Sequence, residues 1–480
     1  MVSFKLPLLL VLLQVAFSSA HRWFNWQWEV TCESDAYIAP KDEAETAAFL
    51  REQYEESSLI KIVGNGHGFG NLTTCVDTSI TKKPSYIVSL TNLKHLSIDK
   101  EAMTVTLGAG WDVQDLIQEL KAHDLSFNNL GVERVQNFVG AVSTGTHGTG
   151  SHVGNMASQV VGLRVLDSQG NVRVINEATN AEELKAFRIS LGALGLITEM
   201  TVKVRPTYLV KKTTRVLNAT TDYNQMYKEI ANLYEQHDRM TVWGPHFDWD
   251  AESQDWSIEP TYFASWWEPT DYTGERNCTL NYCANGCGDC IKNYICYDEV
   301  SDSVSCGPEG VCSHLFYAEI EHFFPIEHLV EVATNYTMFQ QSQTPRMKGP
   351  YNDQMIFQYR SLRGDDAYMS PVNTYNLGPE NSGTFGVLEI DWMQEYNNFT
   401  TLWQNQDLAY EFLPRFGETF NVRSHWNKMS PPNATYIAEK FPKLPEFLAI
   451  QERQDPKCQF VNDFLVEQLG IKRCANYLSM

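Results

Sequence analysis

Positive charge is scarce in this chain: 37 Lys and Arg stand against 59 Asp and Glu, a formal net charge of −22 over 480 residues. Nucleic-acid affinity rests on Lys and Arg displacing counterions from phosphates, so the sign excludes that class of partner. A neutral or cationic small molecule suits the balance better. Long apolar runs are missing as well: beyond the first twenty residues no stretch reaches 18 apolar residues, and no membrane span is expected in the mature form. Internal repeats and low-complexity tracts are absent, and neither of two glycine-rich stretches contains the Gly-Lys-Ser/Thr of a P-loop. What is present in quantity is apolar and aromatic residues, 43% and 12%. That suffices for large cores and, at this length, for two or three domains.

The opening "MVSFKLPLLLVLLQVAFSSA" carries Lys5, an apolar run from Leu6 to Phe17 and small residues at Ser18, Ser19 and Ala20. It reads as a secretory signal peptide cleaved near Ala20, its run being too short to cross a bilayer. A secreted or secretory-pathway protein is expected. Cleavage there makes His21 terminal, either a copper chelate or a plain mature end. Cys278, Cys283, Cys287, Cys290, Cys296, Cys306 and Cys312, seven of the eleven cysteines, crowd one polar, Gly-rich insert. The Cys-x-x-Cys at 287 and 290 resembles a zinc pattern, but the insert holds no His, and an oxidising route favours disulfides. Cys458 and Cys474 read as a separate pair. Asn-x-Thr sequons stand at Asn71, Asn218, Asn277, Asn335, Asn398 and Asn433, and Asn71 adjoins a glycine loop.

Up to about residue 206 helix and strand patterns mix. "KDEAETAAFLREQYEE" (41–56) predicts an amphipathic helix, "LIKIV" a buried strand, "MTVTLGAG" a strand and "DVQDLIQELKAHD" a helix. "SQVVGLRVLDSQGNVRVI" predicts a β-hairpin, and Asn180 with Glu183 a capping box before "AEELKAFRISLGAL". Two glycine-rich passages punctuate this half, "KIVGNGHGFGNLTTC" (61–75) and "VQNFVGAVSTGTHGTGSHVG" (135–154). The first is no dinucleotide fingerprint, since its glycines alternate and lead into "NLTTCVDT" rather than a helix. Bare backbone N–H groups remain as a phosphate cradle, with the hydroxyls of Ser143, Thr144 and Thr146 as added donors. His67, set among glycines, is either a structural residue or one that faces a ligand. After 206 the composition turns aromatic, with Trp243, Trp249, Trp256, Trp266 and Trp267, which places a domain boundary there.

At these residues the chain resembles the aldonolactone oxidases, L-gulonolactone oxidase and D-arabinono-1,4-lactone oxidase, among the vanillyl-alcohol-oxidase-type flavoproteins. The likeness lies in three ordered motifs: Val63 to His67 as Val-Gly-x-Gly-His, "STGTHGTG" at Ser143 to Gly150, and "LGALGLI" at Leu191 to Ile197. "NWQWEVTCESDAYIAP" (25–40) is similar to the family's opening, and residues 25 to 206 match nearly throughout. The resemblance implies an α+β, two-domain, PCMH-type FAD-binding fold. It implies that His67 carries FAD covalently and that Val63, Gly64, Asn65, Gly66, Gly68, Gly140, Ser143, Thr144, Gly145, Thr146, His147, Gly148 and Ile197 hold the cofactor. No Cys stands between Gly140 and Gly150, so at most one covalent bond is expected.

Past 206 the likeness is patchy. "FQYRSLRGDDAYMSP" (357–371) is similar to the family's Glu-x-Arg segment, with Arg360 as the arginine and Gln358 where glutamate is expected. That exchange removes a charge and a possible base: either hydride transfer needs no carboxylate, or the substrate differs, or activity is impaired. The Arg-Gly-Asp at 363–365 resembles an integrin-binding tripeptide but is part of the family pattern and reads as structural. "RSHWNKM" (423–429) is similar to the family's Arg-Pro-His-Trp-x-Lys; by resemblance His425 meets substrate and Lys428 sets a cation near the flavin. Residues 207 to 314 match nothing in the family.

These readings give a signal peptide (1–20), an FAD-binding domain (21–206), a substrate domain (207–445) with the cysteine insert at 278–312, and a segment 446–480 returning to the FAD domain. The expected activity takes a hydride from a secondary alcohol of an aldonolactone and passes electrons to molecular oxygen, giving hydrogen peroxide. The rivals are a general carbohydrate or alditol oxidase and a flavin-binding protein without turnover.

Overall fold

Hydrophobic patterning sets the elements close to where the sequence predicts them. The computed structural model describes residues 21–480 apart from 29, 218–219, 251, 254, 279–292, 306–315, 347–353, 395–410, 412–416, 418, 429–432, 472–473 and 475–480. The signal peptide and Cys283, Cys287, Cys290, Cys306 and Cys312 therefore lie outside the described residues. Helix Glu43–Glu56 starts where Asp42 accepts a hydrogen bond from the Glu45 N–H, and it ends at Ser57, whose φ is 56°. The apolar run Leu59–Val63 is a strand, parallel to Ser85–Ser89, which pairs on its other side with Ala36–Ile38. Thr104–Gly108 and the hairpin Val160–Leu166/Val172–Asn176 join Leu196–Lys203 and Leu96–Asp99 in an antiparallel five-stranded sheet.

Two local expectations fail for physical reasons. The passage 135–154 is not all loop, because Phe138–Ser143 forms a helix whose cap, Asn137, accepts from the Gly140 N–H. Nor does a capping box form at Asn180, whose side chain bonds no helix N–H. Glu183, its intended partner, is drawn off by Arg173 at 2.7 Å and by Arg453 at 3.3 Å. The two-pronged pair with Arg173 holds the carboxylate more firmly than the single backbone N–H of a cap would.

From residue 209 onward an antiparallel sheet takes over. Its order is Tyr294–Glu299, Leu209–Leu217, Tyr262–Thr270, Arg239–Asp250, Gln354–Arg363, Thr384–Gln394, Phe316–Pro325 and Arg423–Ser424, with Asp255–Glu259 added on Arg239–Asp250. Period-2 alternation divides its two faces. Met240, Val242, Phe357, Tyr359, Leu388, Ile390 and Ile320 point to one side, where they form a core with helices Tyr223–Gln236 and Leu329–Gln343. The residues between them point to the other side, toward the first domain.

The C-terminal part returns to the first domain. Ile437, Phe441, Leu444, Phe447, Ile450, Phe460 and Leu465 join the core built by residues 47 to 204. Backbone and side chains seal this return: the Ile60 N–H donates to Gln459 O at 2.7 Å, and Asn462 Nδ2 donates to Asn71 O and Thr74 O at 3.0 and 2.8 Å. Disulfides join Cys32 to Cys75, Cys278 to Cys296 and Cys458 to Cys474. The pair 458/474 is the one the sequence predicts, and Cys278 pairs within its insert. Among the described residues no helix is long and apolar enough to cross a membrane.

Phe447 has no exposed surface. Phe447→Ala is expected to cost about 3–5 kcal/mol in chemical denaturation; a loss below about 1 kcal/mol would show that the returning segment is not part of the first domain's core.

Candidate active site

The two glycine passages meet. A Cβ placed on Gly64 would lie 2.6 Å from Asn137 Cβ, so only glycine lets the first loop rest on the second. Asn65 fastens the contact by donating to Asp112 Oδ1 at 2.8 Å and Val135 O at 2.7 Å. Between the loops lies a cleft of about 790 Å³ lined by Lys61, Val63, Gly64, Asn65, Thr91, Asn137, Gly140, Ser143, Thr144, Gly192, Gly195 and Ile197. The third motif reaches it with Leu191, Gly192 and Gly195 all at positive φ. At Gly195, φ is +120° and a Cβ would meet Leu166 O at 2.5 Å, so no side chain fits.

Lys61 is the cleft's unexpected member. It sits in a strand of apolar residues, 6% exposed, and its Nζ has no hydrogen-bond partner. Burial pushes its pKa down to about 7.

A second cavity of about 930 Å³ opens beside the cleft, walled by His67, Phe69, Glu133, Gln136, Thr146 and His147 from the first domain and by the polar face of the large sheet. His67 stacks on Trp26 with ring centroids 4.5 Å apart and planes 3° off parallel. Burial and the charge of Lys428 push its pKa down to about 4, so the ring is neutral at physiological pH.

Strand register composes the opposite wall. Trp243 faces Gln358, Gln358 faces Glu389 and Glu389 faces Glu321. One step along, Ile356 faces Asp391 and Asp391 faces Glu319. Carboxylates thus gather from two neighbouring strands. Arg360 binds both Glu321 and Glu389. His147 Nε2 donates to Glu321 Oε1 at 2.9 Å, and its Nδ1 meets the Gly148 carbonyl at 2.8 Å. Lys428 pairs with Glu319. Burial opposes ionisation of Glu321, yet His147 and Arg360 hold it well below the usual carboxylate range. Burial, seconded by Glu319, raises Asp391 well above that range. Burial likewise raises Glu133 to about 7.

Of the residues expected to react, Gln358, Arg360, His425 and Lys428 all line this cavity. The loss of charge expected at Gln358 is corrected by its surroundings. Oriented by the hydrogen bonds of its neighbours, its amide donates to both Glu389 oxygens at 3.0 and 3.2 Å and accepts from Thr241 Oγ1 at 2.9 Å. The carboxylate missing at 358 stands one strand over. His425 Nδ1 accepts from the Asn427 N–H at 3.1 Å, which leaves the proton of the neutral ring on Nε2. Burial pushes its pKa down to about 3.

Of the expected cofactor residues, Val63, Gly64, Asn65, Gly140, Ser143, Thr144 and Ile197 line the cleft, and His67, Thr146 and His147 line the cavity. Gly66, Gly68, Gly145 and Gly148 line neither. Gly66 O accepts from the Trp26 N–H at 3.0 Å and Gly68 O from Asn25 Nδ2 at 2.8 Å, so these two anchor the N-terminal segment. Asp365 of the Arg-Gly-Asp tripeptide accepts from Asn155 Nδ2, Ser370 Oγ and the Ala367 N–H, as a structural residue does. Sequence reasoning missed Lys61, Glu133, Glu319, Glu321, Glu389 and Asp391. The strand carboxylates announce themselves only as acids at every second position, "EIE" at 319–321 and "EID" at 389–391.

Residues 34–176 match the FAD binding domain family model. The chain is 23% identical to an L-gulono-1,4-lactone dehydrogenase of Mycobacterium tuberculosis over 93% of its own length and 99% of that protein. It is 28% identical to the L-gulonolactone oxidase of Mus musculus over 46% of this chain and 48% of that one. With the D-arabinono-1,4-lactone oxidase of Candida albicans it shares 24% over 46% and 40%. Among solved structures it is similar to a cholesterol oxidase from B. sterolicum, at TM-score 0.71 and 13% identity over 94% of this chain and 97% of that one. The fold is thus the PCMH-type FAD-binding fold, and the resemblance to the aldonolactone oxidases stands.

The residues present fit FAD. The cleft offers backbone at Gly64 and Gly140, hydroxyls at Ser143 and Thr144, and in Lys61 a buried amine that lacks an anion; these suit a diphosphate. The adjoining cavity, with the neutral imidazole of His67, suits the ring.

Because a phosphate stabilises the ammonium form of Lys61, FAD binding takes up a proton above pH 7. Affinity should therefore be full below about pH 7 and fall as pH rises beyond it. In a His67→Ala background, Lys61→Met is expected to weaken FAD binding about 10- to 100-fold near pH 7 and to flatten that pH dependence. Equal affinities and slopes in equilibrium titration would remove Lys61 from the site.

Proposed function

Taking as premise that the chain carries an FAD binding domain and is similar to aldonolactone oxidoreductases along nearly its full length, we propose that it oxidises a secondary alcohol of an aldonolactone, with molecular oxygen as final acceptor and hydrogen peroxide as product. The observation that carries this reading is a neutral imidazole, His67, between a phosphate-binding cleft and a cavity walled by Arg360, His425 and buried carboxyl groups. FAD, when bound, supplies a two-electron acceptor for hydride. His67 is the residue that tethers it, since an unprotonated ring nitrogen is nucleophilic and Trp26 holds the ring in place.

The remaining roles belong to the chain's own side chains. His425 presents Nε2–H to a substrate oxygen as a donor, and its low pKa keeps it from serving as a base that cycles near neutrality. Arg360, fixed by Glu321 and Glu389, orients hydroxyls through its remaining N–H groups. Glu133 bonds to neither Arg360 nor Lys428, and a group raised to about 7 is matched to accepting a hydroxyl proton at physiological pH. Lys428, held by Glu319, places positive charge beside Phe69, 4.8 Å from the ring centroid, where developing negative charge is stabilised. A broader sugar or polyol substrate is the second reading, favoured by the acid-rich wall around Gln358. Three disulfides among the described residues support passage through an oxidising compartment.

Anaerobic L-gulono-1,4-lactone is expected to bleach the flavin absorbance, and in air one peroxide should form per lactone consumed. Dye reduction without peroxide would point to another acceptor, and bleaching by polyols alone to the second reading. The bleaching rate should rise as pH climbs through about 7, where Glu133 ionises, and Glu133→Gln should abolish that rise and slow the step about 10²- to 10⁴-fold. An unchanged profile would exclude Glu133 as base. After acid precipitation the wild-type polypeptide should stay yellow, whereas His67→Ala should release its colour to the supernatant; flavin retained by the variant would refute the tether.

A further inference from the structure

Ion pairing in the cavity wall leaves a remainder. Arg360 is taken by Glu321 and Glu389, His147 by Glu321, and Lys428 by Glu319. Arg360 and Lys428 are thus both engaged. Asp391, only 5% exposed, has no counter-cation among the described residues, and its Oδ1 has no hydrogen-bond partner among them. Glu319, beside it in register, spends Oε2 on Lys428 and leaves Oε1 equally unpartnered. Unsatisfied buried acceptors of this kind are costly unless something fills them. The rings of Trp243 and Tyr317 line the same cavity, and aromatic faces attract cations. An anion finds no unclaimed positive group here.

We propose that Asp391 and Oε1 of Glu319, with the rings of Trp243 and Tyr317, form a subsite for a protonated amine, so that the alcohol oxidised belongs to an amine-bearing sugar or polyol. This rests on the alcohol-oxidising reading of the same cavity and narrows its substrate class. A three-donor ammonium meets two oxygens that lack donors and restores the missing charge. Burial and the nearby Glu319 charge raise Asp391 well above the usual carboxylate range, and a cation seated against it relieves both. Glu319, Glu321 and Glu389 bring carboxylate oxygens within 4.8 Å of one another, as a metal site would. A metal ion would, however, have to displace Arg360 and Lys428, whereas an ammonium at Asp391 displaces neither.

The test is calorimetric titration of the flavin-loaded protein at neutral pH with D-glucosamine, D-glucose and D-gluconate, which differ chiefly in charge. Glucosamine is expected to bind at least about tenfold tighter than glucose, and gluconate more weakly than either. Asp391→Asn, checked for fold by circular dichroism and flavin content, should shrink the glucosamine-to-glucose ratio to below about threefold. Equal affinity of the wild-type protein for the two sugars, or absence of glucosamine binding, overturns the subsite, as does a ratio unchanged in the variant. The anaerobic bleaching assay separates the two levels of the reading. Bleaching by the lactone without ammonium preference keeps the activity and removes the subsite; ammonium preference without bleaching by any alcohol keeps the subsite and removes the activity.

Discussion

A single carboxylate, Glu321, ties the two halves of the molecule together. It accepts from His147, which comes from the glycine-rich segment of the first domain, and from Arg360, which comes from the large sheet, while its backbone carbonyl accepts from the His425 N–H at 3.1 Å. All of these groups are buried, so each depends on the others for its charge. Breaking one side of such a network typically costs 3–5 kcal/mol because the remaining charge is stranded. The cavity therefore holds its shape without relying on whatever occupies it, and the groups facing a ligand are fixed before the ligand arrives.

That network in turn depends on strand register. Glu319, Glu321, Gln358, Arg360, Glu389 and Asp391 reach one surface because each lies an even number of residues from its neighbour along its strand and opposite a partner across the ladder. A slip of one residue would turn all of them against helices Tyr223–Gln236 and Leu329–Gln343 and put Phe357, Tyr359, Leu388 and Ile390 into the cavity. The apolar face, packed on two helices, forbids the slip. Core packing on one side of the sheet thus specifies the chemistry on the other.

The cofactor half was legible in the sequence and the substrate half largely was not. Glycine at Gly64 and Gly195 is dictated by contacts a Cβ would violate, so the glycine motifs announced both the loops and their meeting. His67 stood out for the same reason. Lys61 did not, because a lysine inside "LIKIV" reads as a tolerated polar residue in a strand, and its isolation is visible only in three dimensions. The carboxylates of the wall escaped because register is a long-range property: nothing local to Gln358 shows that Glu389 lies beside it. The capping box at Asn180 failed because Glu183 is held by both guanidinium nitrogens of Arg173, 10 residues away, and by Arg453, 270 residues away in sequence.

The returning C-terminal segment has a consequence for how the protein is made. Gln459 and Asn462 complete the hydrogen bonds of the strand and loop that carry Lys61 and His67, yet Gln459 lies 401 residues beyond Ser58 and Asn462 391 residues beyond Asn71. Domains ordinarily fold in the order of their synthesis. Here the first domain is complete only once the large sheet that follows it in sequence has been made, and capture of its cofactor waits for that whole stretch.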